Sequence, residues 1–238
     1  MKNTSTFARK FASLYRRVRT THAAEPAEPA SSIIQLVIAF LEWNASRRAA
    51  ETACQRLMSK MVDINELRVS HPHEVTALLG PRYPQVEERT ERMLEALQEI
   101  FKREQAVTLD MLATRSKKEV RAYLDSLPGV PPYVAAQVTL VCFEGHAVPV
   151  DDHLAELLRG GEVVEPEATV EQIESFLERQ VRAEKAPEAH AVLRAWVDAG
   201  ARRVSANSKV VKKAGSSRSG SRTTKRSTRK KKATKSVR

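Results

Sequence analysis

The sequence is poor in four things, and each shortage excludes a class of protein. It has two cysteines in 238 residues. Cys54 and Cys142 stand far apart, each inside an apolar helical pattern, so they cannot assemble a four-cysteine iron-sulfur cluster. With no leader pattern, they read as buried free thiols of a reducing compartment, and no cofactor is expected. Strand patterns are nearly absent, which points to an all-α chain. No stretch is apolar for long enough to span a membrane. Acidic residues, finally, are missing from both ends.

That last absence divides the chain by charge. Residues 1–22 carry +6 and residues 205–238 carry +13, neither with a single acid, while 23–204 carry −8. The C-terminal segment is dominated by Ser, Thr, Lys, Arg and Gly and cannot bury enough apolar surface to fold, so a disordered tail is expected over 205–238. Its cations, among them Lys212, Lys213, Lys225, Arg226, Arg229, Lys230, Lys231 and Lys232, suit nonspecific, salt-dependent contacts with DNA phosphates. A solubilising role is the competing reading. At the other end Phe7, Phe11, Leu14, Tyr15 and Val18 alternate with basic residues as in a short amphipathic helix. A second DNA-binding or domain-docking element is favoured over a targeting peptide or a membrane-surface helix. The acidic, proline-containing segment 23–31 reads as a linker, and 32–204 as one globular domain.

Within that domain, periodicity predicts helices over 32–43, 46–60, 63–69, 73–79, 85–104, 109–115, 117–127, 132–143, 152–159, 170–184 and 188–199. Several have explicit starts. Asp63 with Glu66, Ser116 with Glu119 and Thr169 with Gln172 have capping-box spacing, and Gly200 is a candidate stop. Trp196 falls in an apolar stripe with Val192, Leu193 and Val197 and reads as packing. His22, His71, His73 and His190 have no catalytic partner at a recognisable spacing and read as surface or capping groups.

The most specific stretch is Leu127 to His153. A Pro-Gly turn at Pro128 and Gly129 ends one amphipathic helix, and Pro132 opens an uncharged run from Val134 to Phe143. An extended segment from Ala147 to Val150 then leads to an acid, Asp151 or Asp152, that caps the next helix. The hairpin L-P-G-V-P-P-Y-V-A followed by V-D-D-H resembles the helix-hairpin-helix base-excision DNA glycosylases of the endonuclease III type. Their signature is L-P-G-V-G-x-K-x-A followed by V-D-x-H. Ile33 to Ser46 is similar to the family's early core helix, with Asn44 at the position of its glutamine.

The resemblance implies an all-α, two-lobed fold with the hairpin at the mouth between the lobes, and a protein that acts as a monomer on double-stranded DNA. It implies that Leu127, Pro128, Gly129, Val130, Pro131, Pro132 and Tyr133 form a phosphate-binding hairpin, and that Asp151 is the carboxylate that stabilises charge at the sugar as a base leaves. Trp43, Asn44 and Tyr133 become candidates to line the base pocket. A capping role for Asp151 is the plainer alternative. Asp152 and His153 lack the further ligands that a metal site needs, and none is expected.

Two departures alter the chemistry. Tyr133 replaces the lysine that forms a Schiff base in the family, and a phenol cannot form one, so lyase activity is not expected. Pro131 replaces the second hairpin glycine, and with Pro132 it removes two N–H donors, so phosphate capture should be weakened or remodelled. Two functions remain open. One is a monofunctional glycosylase using Asp151; the other is a catalytically degenerate DNA-binding or chromatin-associated protein whose affinity comes from the tail. The resemblance favours the enzyme narrowly and places it in the cytoplasm, at the nucleoid.

Overall fold

The computed structural model describes residues 4–26 and 30–200. The tail, with its eight named cations, lies outside the described residues. Eleven α-helices follow one another with no strand among the described residues: α1 Thr4–Thr21, α2 Ser32–Glu42, α3 Arg47–Lys60, α4 Ile64–Val69, α5 Pro72–Leu79, α6 Val86–Glu104, α7 Lys117–Asp125, α8 Pro132–Phe143, α9 Asp152–Gly160, α10 Val170–Gln180 and α11, residues 186–200. Short 3₁₀ turns occupy Asp110–Thr114 and Ala183–Lys185.

The helices bury their apolar faces in two separate cores. The first gathers α2 to α7 around Leu36, Phe40, Leu57, Leu67, Met93, Leu97 and Leu124. The second gathers α1 and α9 to α11 around Phe11, Val18, Leu154, Leu158, Phe176, Leu177 and Val192. Helix α8 belongs to both. Tyr133, Val134, Ala135 and Val138 face the first core, while Ala136 and Leu140 face the second. This double burial explains why Val134 to Phe143 carries no charge: a helix with a lobe on either side has no polar face to offer water.

Local chemistry sets the helix ends. Ser116 and Thr169 accept from the backbone N–H three residues on, and Glu119 and Gln172 answer back to the cap N–H groups, completing capping boxes. Asp63 accepts from Glu66 N–H at 2.9 Å. His71 caps α5, whose first residue is Pro72. Several expected boundaries move; the 117–127 helix, for one, ends at Asp125. The helix expected over 109–115 is a 3₁₀ turn, because Thr108 holds the Asp110 N–H and only one turn of chain separates it from Ser116, the next cap. The expected 170–184 helix stops at Gln180, and a 3₁₀ turn intervenes before α11 begins at 186.

The basic N-terminal segment is a helix of this globule. Phe11, Leu14 and Val18 are buried in the second core, and Phe11 stacks on Tyr15 and meets Phe176 edge-on. Arg9, Lys10, Arg16, Arg17 and Arg19 line its exposed side. Its apolar face is therefore used in docking, and its cations face solvent, Lys10 beside Glu162 at 3.4 Å and Arg19 beside Glu188 at 3.7 Å.

One buried cation holds the end of α2. Arg89 on α6 is fully buried and donates to the carbonyls of Phe40, Trp43 and Pro84. Burial lowers its pKa to about 10. The Phe40 and Trp43 carbonyls are among those that the α2 C-terminus leaves unpaired, and a guanidinium there complements the negative end of the dipole. Arg89 thereby fixes Trp43 and Asn44 at the boundary between the lobes.

Candidate functional site

The hairpin forms where expected. Leu127 N–H donates to Leu124 carbonyl and Val130 N–H to Leu127 carbonyl, each at 3.3 Å, closing the turn between α7 and α8. Gly129 has φ +77, and a Cβ there would lie 2.6 Å from the Arg92 carbonyl of α6, so the position tolerates only glycine. Pro131 caps α8 and Pro132 is its first residue. Pro128, Pro131 and Pro132 supply no N–H, and the Val130 N–H is committed inside the turn.

Carboxylates surround this turn. Glu95 Oε2 approaches Gly129, and a groove of about 480 Å³ beside Val130 and Pro132 is lined by Asp125, Glu171, Glu174 and Glu178. Its one guanidinium, Arg121, is bound by Asp125 and by Glu174 at 3.0 Å. A phosphate would meet net negative charge here, so the hairpin keeps the turn but not the electrostatics of an anion site.

The two adjacent acids of V-D-D-H are both occupied. Asp151 caps α9: its Oδ1 accepts from Leu154 N–H at 2.8 Å. Its Oδ2 accepts from Arg194 Nη1 at 2.8 Å, and the carboxylate side chain is 1% exposed. Arg194 is itself buried; it donates also to the carbonyls of Glu42 and Ala45 and has Asp198 beside it. Burial works to lower its pKa, but Tyr133, Asp151, Glu42 and Asp198 together outweigh that and raise it. Asp152 is held by Asn44, whose Oδ1 accepts the Asp152 N–H at 3.0 Å and whose Nδ2 donates to the Asp152 carboxylate at 2.7 Å. Asn44 adopts φ 51, which turns its amide toward α9.

The three proposed pocket residues do not enclose a common space. Tyr133 is 3% exposed and its hydroxyl has no hydrogen-bond partner; burial pushes its pKa well above 10. It shares with Asp151 a void of about 10 Å³, room for one water and far below what a nucleobase needs. Asn44 is turned inward onto Asp152, and Trp43 packs partly buried on the first core with the Arg92 guanidinium 5.4 Å from its ring. His190, read from sequence as a surface or capping group, lines this void instead, and desolvation beside Arg194 lowers its pKa to about 3. Cys54 and Cys142 are half-buried free thiols, with the Cys142 pKa pushed up to about 11 by burial.

Arg194 was the residue that sequence reasoning missed. The signal was a lone arginine inside the apolar stripe of Val192, Leu193 and Val197, with Asp198 four residues on. A cation in such a stripe must find a buried partner.

With this geometry in view, the comparisons with known proteins locate the fold. No family model matches the sequence, and no curated protein matches it significantly. Solved structures do match. Endonuclease III in a non-covalent DNA complex superposes with a TM-score of 0.61 at 15% identity, covering 79% of this chain and 84% of that one. The Clostridium acetobutylicum 8-oxoguanine glycosylase/lyase gives 0.61 at 13% identity, covering 84% and 71%. The H. pylori 3-methyladenine DNA glycosylase gives 0.58 at 13% identity, covering 80% and 96%. The chain therefore has the all-helical fold of the endonuclease III-type helix-hairpin-helix DNA glycosylases, with a far-diverged sequence.

Two outcomes follow from the site. Asp151→Asn and Arg194→Met should each lower stability by about 3 kcal/mol, because each leaves a buried partner uncompensated, whereas the double variant should lose much less than their sum. Urea unfolding measures this cycle, and additive losses would show that the pair is not coupled. Glu174 gives a pH signature. Burial pushes its carboxyl from the ordinary 4.5 up to about 7, against the pull of Arg121. The folded chain then holds a proton that the unfolded chain has released, so this group's contribution to stability falls as pH rises from about 4.5 to about 7. Relative to wild type, Glu174→Gln should gain stability between about pH 5 and about pH 8, read from urea midpoints at both; a constant difference would place the titration elsewhere.

Proposed function

We propose that the chain is a DNA-binding protein on a DNA glycosylase scaffold, with Asp151 working as a structural residue and no N-glycosylase activity. The observation that carries this reading is the sealing of Asp151. One oxygen caps α9, the other is bound to a buried arginine, and the adjoining void of about 10 Å³ has room for no more than a water. To stabilise charge at a sugar, a carboxylate must stand open to it with an oxygen unengaged. Tyr133 gives no second route, since its hydroxyl is buried and remains protonated.

The DNA-binding half rests on the fold and on charge. The structures that this chain resembles include an endonuclease III–DNA complex and a glycosylase/lyase bound to duplex DNA. Residues 23–204 are net acidic and the hairpin is flanked by carboxylates, so phosphate affinity is assigned to the exposed cations of α1 and to residues 205–238. Such contacts neutralise phosphates without reading bases.

The test is a single-turnover assay of the full chain on duplexes carrying a panel of lesions and mismatches, with alkali to reveal abasic sites. No alkali-labile site is expected on any duplex, and one that depends on Asp151 would overturn the assignment. In parallel, DNA binding should weaken steeply with salt, and deleting 205–238 should flatten that slope; an unchanged slope would remove the tail from the interface.

A further inference from the structure

Behind Arg194, on the side away from Asp151, lies a second and much larger cavity, of about 570 Å³. That volume is in the range of small-molecule sites. Helix α2 contributes Ile38 and Glu42, α8 contributes Gln137 and Leu140, and α11 contributes His190 and Arg194. The cavity therefore sits between the two lobes. Exposed Glu144 and Glu184 stand at its mouth, beyond the C-terminal end of α8 and so remote from the hairpin at that helix's other end.

Its inner end is a built polar surface. Glu42 is 6% exposed and Gln137 3% exposed. Gln137 Nε2 donates to the Glu42 carboxylate, which leaves Gln137 Oε1 buried with no hydrogen-bond partner. A buried carbonyl oxygen without a donor is costly, and folded proteins leave few of them. The nearby cations cannot supply one. Arg194 spends its terminal nitrogens on Asp151 and on the carbonyls of Glu42 and Ala45, its buried Nε makes no hydrogen bond to Gln137, and the Arg47 Nε is bound to Glu51 at 3.2 Å. His190 is neutral. At the mouth Glu144 pairs with Lys117 at 3.8 Å and Glu184 with Arg182 at 3.9 Å, and the lining as a whole carries four glutamates, Glu42, Glu51, Glu144 and Glu184, against Arg47 and Arg194. Between mouth and floor the walls are apolar: Ile38, Leu140, Val141 and Ala191.

A ligand complementary to this space carries N–H donors at one end, a positive charge and an apolar body. We propose that the cavity binds a small organic cation, an amidine or a protonated amine with an apolar body, whose N–H groups bridge the Glu42 carboxylate and Gln137 Oε1. An anion would meet the carboxylates, and a purely apolar molecule would leave Gln137 Oε1 unpaired. The fork of an amidinium matches two acceptors side by side and gives charge-assisted hydrogen bonds. Because Arg194 stands between this cavity and Asp151, occupancy does not depend on whether Asp151 is catalytic.

Calorimetry on the full chain with benzamidine, and with benzamide as its neutral counterpart, tests the assignment. Benzamidine should bind saturably at one site and benzamide should not. Glu42→Gln and Gln137→Leu should each weaken benzamidine by roughly tenfold or more, the loss of one charge-assisted contact. Ile38→Trp, which fills the cavity without touching its floor, should abolish binding even if a floor variant folds poorly. The proposal fails if benzamidine shows no saturable binding, if benzamide binds equally well, or if affinity survives the filled cavity.

Discussion

The Arg194 guanidinium is the contact on which the rest of this molecule turns. It lies buried between two hydrophobic cores and reaches across them. On one side it takes the carbonyls that end α2 and lead into α3; on the other it takes the carboxylate that starts α9. A charge in that position is expensive to desolvate, and only the full set of acceptors makes it tolerable. The same set makes it a lock. Withdrawing Arg194 from Asp151 would strand a carboxylate that is 1% exposed, so opening the site and destabilising the lobe boundary are one event.

Three features follow from that lock. Asp151 is consumed in capping and pairing, and the void beside it is about 10 Å³. Asn44, held at φ 51 next to the α2 terminus, finds Asp152 as its partner and ties α2 to α9 a second time. The larger cavity at this boundary lies behind Arg194, floored by Glu42 and Gln137. Charge has moved in parallel: the hairpin that would grip phosphate sits among Glu95, Asp125, Glu174 and Glu178, while the cations lie on α1 and in the terminal sequence.

Much of the fold was legible in the sequence because it is written in local chemistry. Capping boxes at Ser116 and Thr169, Pro132 at a first turn and the uncharged run of α8 each specify a helix end or a buried face from a few neighbouring residues. Val134 to Phe143 reads as a buried helix, and its place between the two cores is that burial. Asp151 was legible as a cap and, by resemblance, as a reactive acid. What no local pattern carries is its second partner, 43 residues on, because a pairing between α9 and α11 is decided by how two helices pack. Trp43, Asn44 and Tyr133 were grouped by resemblance as a pocket, and here the same long-range packing turns each of them to a different neighbour. Gln137 and Glu42 are 95 residues apart, and their meeting is likewise a product of the assembled lobes.

The central claim is that Arg194 stays on Asp151 when DNA is bound. It is tested most directly by following the side-chain N–H exchange of isotope-labelled Arg194 in the full chain, free and in complex with a duplex carrying an abasic-site analogue. A structural lock predicts slow exchange, unchanged by DNA, because the guanidinium remains buried on Asp151 and the carbonyls. Rapid exchange of Arg194 on binding that duplex, with Asp151 released toward the sugar, would contradict the account and return the site to catalysis.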